Sequence, residues 1–348
     1  NNTLCNNLTY NGNSQQLVSS TSVNGSGYTL KDYTGKNAGD YTITASLKDN
    51  YVWKDGTSND ITFKCSINKK DASITANYQH ITYEDSIDNS VSQITTSGLV
   101  TGHSVSKITL TPSTNNVTDN GTITPSKATI VSNGTDVTTN YNITYNTGKL
   151  VIDALSIENA EITLNQTTYT YDGNEKKPTT TVVLNNKTLV LNTDYAVSYS
   201  NNKNAGTATV TITGRGNYTG TKSINFTIEY KTYTVTLNNQ SATSAGTTIL
   251  YGRYADGIYL DSAYSKKMTT SANAIAKPSK TGYTFKGYYT ATNGGGTQLI
   301  NASGNITSSF TNTLYNSNVT LYAYWKDTTA PTCSVSGGTS LKSTSQTL

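Results

Sequence analysis

The chain has 348 residues, of which 34% are hydrophobic and only 13% are charged, and its formal net charge is +4. Soluble domains usually carry about 25% charged residues, and disordered chains usually combine high net charge with few aromatic residues, whereas this chain has 26 tyrosines. Lysines are scattered, only two arginines occur and no apolar run could span a membrane, so the sequence excludes a disordered chain, a nucleic-acid-binding stripe and membrane insertion of these residues.

Strand and turn signals divide the chain into small β modules. The predicted boundaries are 1–69, 70–154, 155–229, 230–326 and 327–348, the last being the truncated start of a further Ig-like module. No long stretch has helical periodicity, and we expect at most one short helix, within 261–277. The sequence therefore predicts an all-β, monomeric chain of tandem small β-sandwich (Ig-like) and β-grasp-like modules arranged end to end.

A turn in the first module recurs in the third. Residues 36–44 read KNAGDYTIT and residues 203–211 read KNAGTATVT, and each copy is preceded by a second shared turn, YNG at 10–12 and YDG at 171–173. Gly39 and Gly206 are predicted to adopt positive φ, and a strand of alternating apolar and Thr residues is predicted to follow each. The shared order of turns and strands indicates two related β modules.

Two of the three cysteines belong to the first module. Cys5 precedes its first strand and Cys65 lies in its last strand, and these strands are often close in a β-sandwich. A Cys5–Cys65 disulfide is therefore geometrically plausible, and two unpaired buried thiols are the alternative. Cys333 occupies the corresponding position in the fifth module, where we expect a partner beyond residue 348.

The second module offers little material for catalysis. It contains the only two histidines, His80 and His103, for which surface positions are expected, and no Cys/His spacing in the chain suits zinc. Its acidic loop contains Glu84, Asp85 and Asp88; a solvated loop is the first interpretation and weak calcium binding is the alternative. We expect no catalytic residues, no metal and no cofactor.

The fourth module contains a family signature. The segment GYTFKGYYT (282–290), with Pro278 before it, GGG (294–296) after it and the closing strand VTLYAYW (319–325), resembles the Listeria–Bacteroides repeat of internalin-type surface proteins. The resemblance implies a β-grasp-like module with turns at Gly282 and Gly287. It departs from the family pattern at Tyr288, where a Trp is usual. Tyr288, Tyr289, Tyr322 and Tyr324 are first interpreted as the module's core. The alternative is an aromatic platform for sugars, for which Tyr288 and Tyr289 are the candidate ligand contacts.

The other modules also resemble repeats of bacterial surface proteins. The second, with ITYEDSID (81–88) and NYNITYNTGKLVI (140–152), is similar to the MBG type of adhesin module; the YNG/YDG and NAG turns of the first and third resemble Ig-like or YDG-type repeats. DTTAPT (327–332) resembles the linker to a further Ig-like domain.

These resemblances imply a non-catalytic stalk or adhesion segment of a bacterial cell-surface protein, wall-anchored or secreted, that spaces or presents a binding tip. The alternative is that the modules themselves bind host glycans or extracellular-matrix or mucin proteins, or form an accessory arm of a secreted glycan-active enzyme.

Overall fold

The computed structural model describes residues 4–23, 25–312 and 315–330. These residues form short strands in several sheets, with two short α-helices, α1 (Ser20–Val23) and α2 (Ser308–Asn312). Single-turn 3-10 helices lie at Val91–Gln93, Thr138–Asn140 and Thr292–Gly294. The predicted all-β class of tandem small β modules is confirmed. Cys333 and the rest of the predicted fifth module from residue 331 onward lie outside the described residues.

The chain divides into two compact units. The first comprises the described residues of Asn1–Glu161 together with Val182–Val197 and Ile212–Lys222, and the second comprises those of Ile162–Thr181, Ser198–Thr211 and Ser223–Leu348. The boundaries drawn from the sequence stay a prediction, and the predicted modules are used below only as names for stretches of chain.

The first predicted module contains a four-stranded sheet in the order β1-β6-β5-β3, and a two-stranded sheet of β2 and β4. Burial of β5 alternates as its sequence predicts, because Ile43 and Ala45 face the core and Thr42 faces solvent. The strands are β1 (Leu8–Thr9), β2 (Gln15–Gln16), β3 (Tyr28–Lys31), β4 (Thr34–Gly35), β5 (Gly39–Leu47) and β6 (Ile61–Asn68).

The second predicted module contains a sheet in the order β10-β11-β14-β8, with β12 paired to β11, and a three-stranded sheet β13-β7-β9. Its apolar side chains meet in one cluster that includes Ile74, Ile123 and Leu150. The strands are β7 (Lys70–Ala76), β8 (Gln79–Thr82), β9 (Ile94–Ser97), β10 (His103–Pro112), β11 (Thr118–Ser132), β12 (Thr135–Asp136), β13 (Tyr141–Asn146) and β14 (Gly148–Asp153).

The third predicted module contributes residues to both units. In the first unit β15 pairs with β22 and β18 forms a hairpin with β19; in the second unit β17 pairs with β23. Ala208, Val210 and Ile212 of β21 are fully buried, which confirms the predicted alternation. The strands are β15 (Leu155–Ser156), β16 (Glu161–Leu164), β17 (Thr168–Thr170), β18 (Thr180–Leu184), β19 (Lys187–Thr188), β20 (Tyr195–Ser200), β21 (Gly206–Gly214), β22 (Tyr218–Thr219) and β23 (Thr221–Glu229).

The fourth predicted module is built on a six-stranded sheet in the order β26-β25-β24-β29-β27-β28. Its core includes Val235, Leu250, Leu299 and Leu321, all fully buried. The strands are β24 (Thr232–Asn238), β25 (Ile249–Arg253), β26 (Gly257–Tyr259), β27 (Tyr283–Tyr289), β28 (Gln298–Asn301) and β29 (Val319–Asp327).

The run 261–277, where the sequence allowed a short helix, is irregular. The carboxylate of Asp261 accepts hydrogen bonds from the backbone N–H groups of Ser265 and Lys266, at 2.9 and 2.8 Å, and closes a tight turn. The hydroxyl of Thr269 accepts from the backbone of Ala272 at 2.9 Å. Such side-chain bonds offer the backbone an alternative to the helix, so the local Asp, Ser and Thr content decides against it.

One kind of strand pairing recurs in all four predicted modules: a strand early in the module runs parallel to a strand late in it. The pairs are β1 with β6, β8 with β14, β17 with β23 and β24 with β29. The two related modules extend it identically: Tyr10 N–H donates to Asn68 O at 2.9 Å, and Tyr171 N–H donates to Glu229 O at 2.7 Å. Since the paired strands are parallel, the chain enters each pair at one end and leaves it at the other.

A disulfide joins Cys5 to Cys65, with their Cα atoms 5.5 Å apart. Cys5 lies just before β1 and forms an isolated antiparallel β-bridge with the backbone of Val18. Cys65 is a buried residue of β6. The bond closes a sequence separation of 60 residues. In the chain-entropy view a loop of that size stabilises the fold by roughly 4 kcal/mol, which is a large share of a small domain's stability.

Candidate functional site

The acidic loop of the second predicted module forms part of a joint. Oε1 of Glu84 accepts a hydrogen bond from Lys187 Nζ at 3.0 Å and from the Tyr218 hydroxyl at 3.1 Å. Glu84 follows β8, whereas Lys187 and Tyr218 belong to β19 and β22 of the third predicted module. All three residues lie in the first compact unit. The carboxylate therefore bonds one predicted module to the next.

Aromatic and cation–π contacts connect the same two predicted modules around Glu84. The rings of Tyr83 and Tyr218 meet edge to face with centroids 5.4 Å apart, and Lys187 Nζ lies 5.3 Å from the first centroid and 5.5 Å from the second. The hydrogen bond from Lys187 holds the pKa of Glu84 below its usual value, and bonds to Tyr218 and Glu84 raise the pKa of Lys187. Both charges are therefore favoured at neutral pH.

An asparagine pair lies beside this cluster. Asn217, next to Tyr218, accepts the backbone N–H of Val117 at 2.9 Å and donates from Nδ2 to Asn116 Oδ1 at 3.0 Å. We name the set Tyr83, Glu84, Asn116, Lys187, Asn217 and Tyr218 the Glu84 joint. It combines ionic, aromatic and amide contacts, which constrain orientation more than a hydrophobic contact alone.

Weak calcium binding is the alternative interpretation of this loop, and its carboxylates bond to separate partners instead of converging on one point. Asp85 accepts from the backbone of Thr82 at 3.1 Å, and Asp88 accepts from the backbone of Ser90 at 2.8 Å and from Gln93 at 3.0 Å. Each carboxylate thus has a separate partner. Across the described ranges, no group of three or more His, Cys, Asp and Glu side chains is placed to hold a metal ion.

A second joint connects the first two predicted modules through the KNAG turn. The backbone N–H of Ala38 donates to Asn140 Oδ1 at 2.7 Å, and Asn140 Nδ2 donates to Asn37 Oδ1 at 3.2 Å. Asn140 is only 2% exposed, so these bonds satisfy an amide that would otherwise be buried without partners. We name Asn37, Ala38 and Asn140, with the rings described next, the Asn140 joint.

The YNG turn packs onto the same neighbour. The Tyr10 and Tyr141 rings meet edge to face at 5.6 Å, and Nδ1 of His103 lies 2.6 Å from the Tyr141 hydroxyl. His103 is half-buried, so its predicted surface position is wrong, whereas His80 is exposed beside Asp153. Sequence reasoning missed this role because the ring partners of His103 are 38 and about 93 residues away along the chain.

The first two predicted modules share one hydrophobic cluster. It contains Tyr10, Ile43 and Ile67 from the first and Ile130 and Tyr141 from the second. The interior of the first predicted module is therefore continuous with part of the second. A small domain buries a low fraction of its apolar surface, and a shared core raises that fraction.

The candidate ligand contacts of the fourth predicted module separate in the structure. Tyr288 is fully buried, packs edge to face on Phe285 at 5.3 Å and donates its hydroxyl to Asn239, so it is a core residue and no ligand contact. Burial raises the pKa of its hydroxyl above the usual value. Tyr289 is half-buried and meets Tyr324 edge to face at 5.8 Å.

A β-bulge in β27 brings Tyr288 into the core. Phe285 pairs with Trp325 while Gly287 pairs with Tyr324, so two residues of β27 cover a single step of β29. The bulge brings Phe285 and Tyr288 to the same face. Gly287 has φ +122° and Gly282 has φ +80°, and Gly39 and Gly206 have φ +144° and +136°, all in the region that favours glycine.

The comparisons with known proteins find little. No protein-family model and no curated protein match the chain. Among solved structures it is similar to the extracellular cadherin domains 1-4 of Protocadherin Gamma B7, with 12% sequence identity over 75% of this chain and 74% of that chain, and a TM-score of 0.21. At that TM-score the likeness supports no conclusion about fold or function. No helix of the described residues is both long and apolar enough to cross a membrane.

Proposed function

We propose that the chain is a non-catalytic, extracellular stalk or adhesion segment of a bacterial cell-surface protein, which spaces or presents a binding region. The observation that carries the proposal is the Glu84 joint, in which Glu84 bonds both Lys187 and Tyr218 across a predicted module boundary. A spacer has to hold successive modules in a fixed orientation, and a flexible linker would not need such contacts.

Two further features support the proposal. The disulfide suits an oxidising, extracellular compartment, because cytosolic reductants keep thiols reduced. The resemblance of the fourth predicted module to internalin-type repeats agrees with a cell-surface location.

A distance measurement tests the joint in the full chain. Spin labels on unnatural keto amino acids at Thr124 and Val190, both exposed and on opposite sides of the joint, should give one narrow distance distribution. Lys187→Ala should broaden it, because Glu84 loses its ionic partner. Lys177→Ala removes a lysine from an ion pair whose side chains are 59% and 54% exposed, and should leave the distribution unchanged.

A functional assay complements the distances. When the chain is displayed between a cell-wall anchor and a domain of known ligand, cells should resist detachment by flow better than cells with a glycine–serine linker of equal length. Equal detachment with both inserts would count against a spacer. Turnover of any member of a polysaccharide panel by the full chain would overturn the non-catalytic assignment.

The second candidate function is that the modules themselves bind glycans or host proteins. Tyr289 favours it, since its half-exposed ring is paired with that of Tyr324. A glycan array probed with the full chain would show binding that Tyr289→Ala abolishes. Binding unaffected by Tyr289→Ala would exclude this pair as the contact.

A further inference from the structure

Arg253, at the end of β25, is held among three tyrosine rings. Its guanidinium carbon lies 4.1 Å from the ring centroid of Tyr264, 4.9 Å from that of Tyr230 and 5.7 Å from that of Tyr259. Cation–π attraction of this kind is significant within about 6 Å. Stacking uses the faces of the planar guanidinium and leaves its N–H donors at the edge. The rings therefore orient the group. Arg253 also hydrogen-bonds the Tyr259 hydroxyl, and stacking leaves its other N–H donors at the edge unused.

The charged neighbours of Arg253 are already engaged with each other. Asp256 accepts from Lys267 Nζ at 3.0 Å and from the Tyr259 hydroxyl at 2.5 Å. No carboxylate among residues 4–23, 25–312 and 315–330 lies within ion-pair distance of Arg253. The strongest partner of a guanidinium is a carboxylate bound through two parallel hydrogen bonds, and the fold supplies none here.

A cavity of about 140 Å³ opens beside the guanidinium. Arg253 and Lys267 contribute two positive charges to its lining and Asp256 contributes one negative charge, so the site is net positive. Ile258 and Phe310 also line it and provide apolar surface. A concave, partly apolar site with a few fixed polar groups is the usual form of a small-ligand site.

The backbone next to the cavity adopts conformations that bulky residues rarely accept. Tyr264 has φ +57° and Ala255 has φ +60°. The carboxylate bonds of Asp261 to Ser265 and Lys266 hold the turn that contains Tyr264. The fold thus keeps the Tyr264 ring over Arg253 in spite of strain, and strain retained in this way is concentrated at binding sites.

We propose that Arg253, with Tyr230 and Tyr264, binds the carboxylate of an acidic saccharide. The guanidinium edge takes the carboxylate, and the tyrosine rings, with Tyr230 36% exposed, offer amphipathic faces to the C–H groups and hydroxyls of the sugar. An extended polyanion would need a basic stripe, whereas Arg253 is one of only two arginines in the chain. This ligand site goes beyond the proposed stalk.

Calorimetry with the oxidised full chain tests the proposal. The probes are a hyaluronan hexasaccharide, which carries carboxylates, a sulfated oligosaccharide without carboxylates, a neutral N-acetylglucosamine hexamer and a poly-glutamate peptide. We expect the hyaluronan hexasaccharide to bind most tightly. Arg253→Lys keeps the charge and loses the planar fork, and it should weaken binding by about tenfold or more, as Arg253→Ala should.

Arg215→Ala is the matched control, because it removes the chain's other arginine, which is exposed, and changes net charge equally. It should leave affinity within about twofold, since exposed distant charges are screened. Trp325 emission checks that the variants are folded. If Arg253→Ala does not fold, the comparison of Arg253→Lys with the unmodified chain tests the proposal. The proposal is overturned if the hyaluronan hexasaccharide does not bind, or if Arg215→Ala lowers the affinity for it as much as Arg253→Lys does. It is also overturned if the sulfated probe or poly-glutamate binds more tightly than the hexasaccharide. The proposed stalk function is tested separately, by the distance distribution across the Glu84 joint, and does not depend on the outcome of this calorimetry.

Discussion

His103 is the residue whose protonation bears most directly on a joint. Burial, and to a lesser extent the charge of Lys36, lower its pKa below the usual value, and its Nδ1 lies 2.6 Å from the Tyr141 hydroxyl. Because the unfolded chain takes up the proton more readily, the neutral ring stabilises the fold at higher pH. This contribution is complete above the unfolded pKa of about 6.5 and is lost as pH falls towards the folded value.

We expect the free energy of unfolding of the first unit to fall as pH decreases below about 6.5, within the window that ends at the folded pKa of His103. Denaturant unfolding at a series of pH values measures this. His103→Gln should reduce the slope of the free energy of unfolding against pH in this window. His80→Gln, at the exposed histidine, should leave that slope unchanged. An unchanged slope in His103→Gln would assign the pH dependence to another group.

Replacement of Gly287 should destabilise the second unit through two separate effects. A Cβ built there would lie 2.2 Å from the carbonyl oxygen of Ile300, and its φ is +122°. We expect Gly287→Ala to lower the free energy of unfolding of the second unit by about 2–4 kcal/mol, because strain and a backbone clash add.

Gly206→Ala separates those two causes. Gly206 has φ +136° and nothing within 4 Å of a built Cβ, so only the conformational cost of about 1–3 kcal/mol applies. Urea unfolding of both variants measures the difference. Equal losses would show that the contact with Ile300 relaxes freely.

At the scale of strands and turns, the sequence predicted the local elements well. Strand β21 follows Gly206 with Ala208, Val210 and Ile212 inward, because a period of two is written directly in neighbouring residues. The bulge at Gly287 was not predictable from alternation, because it depends on the register with β29. The partner of the KNAG turn was also hidden, since Asn140 lies about 100 residues beyond Ala38.

Asn140 allows a test of that turn's role. Asn140→Ala should leave the partly buried backbone N–H of Ala38 without its acceptor, and lower the free energy of unfolding of the first unit by about 1–3 kcal/mol. Asn142→Ala removes a neighbouring exposed amide that bonds Asp71 at 3.1 Å, and should change stability by less than about 0.5 kcal/mol. Hydrogen exchange of the Ala38 amide reports on the same bond. Protection retained in Asn140→Ala would show that the turn does not need this partner.

At the scale of the whole molecule, each compact unit contains one tryptophan. Trp53 in the first unit donates its indole N–H to Asn59 O at 2.6 Å, and Trp325 in the second donates to Asn239 O at 3.0 Å. The single-tryptophan variants Trp325→Phe and Trp53→Phe therefore report on one unit each. The assembly of each unit from three separate segments of the chain was not predictable. It depends on contacts between residues far apart in sequence, which turn residues do not specify.

Reduction of the Cys5–Cys65 disulfide should affect only one of these reporters. We expect the transition seen by Trp53 to shift to lower denaturant, with a loss of up to roughly 4 kcal/mol, because the unfolded loop regains its entropy. The transition seen by Trp325 should not move. A shift of both transitions by reductant would show that the two units unfold together.

The same disulfide determines which residues can bear tension. If the chain is pulled from both ends, the load that reaches Cys5 crosses the sulfur–sulfur bond to Cys65, and the polypeptide between them is bypassed. An extended residue adds at most about 3.6 Å, so this covalent shortcut withholds roughly 210 Å of slack. Hydrogen bonds elsewhere in the chain can break under a pull, whereas this stretch can lengthen only after its disulfide is reduced to two thiols.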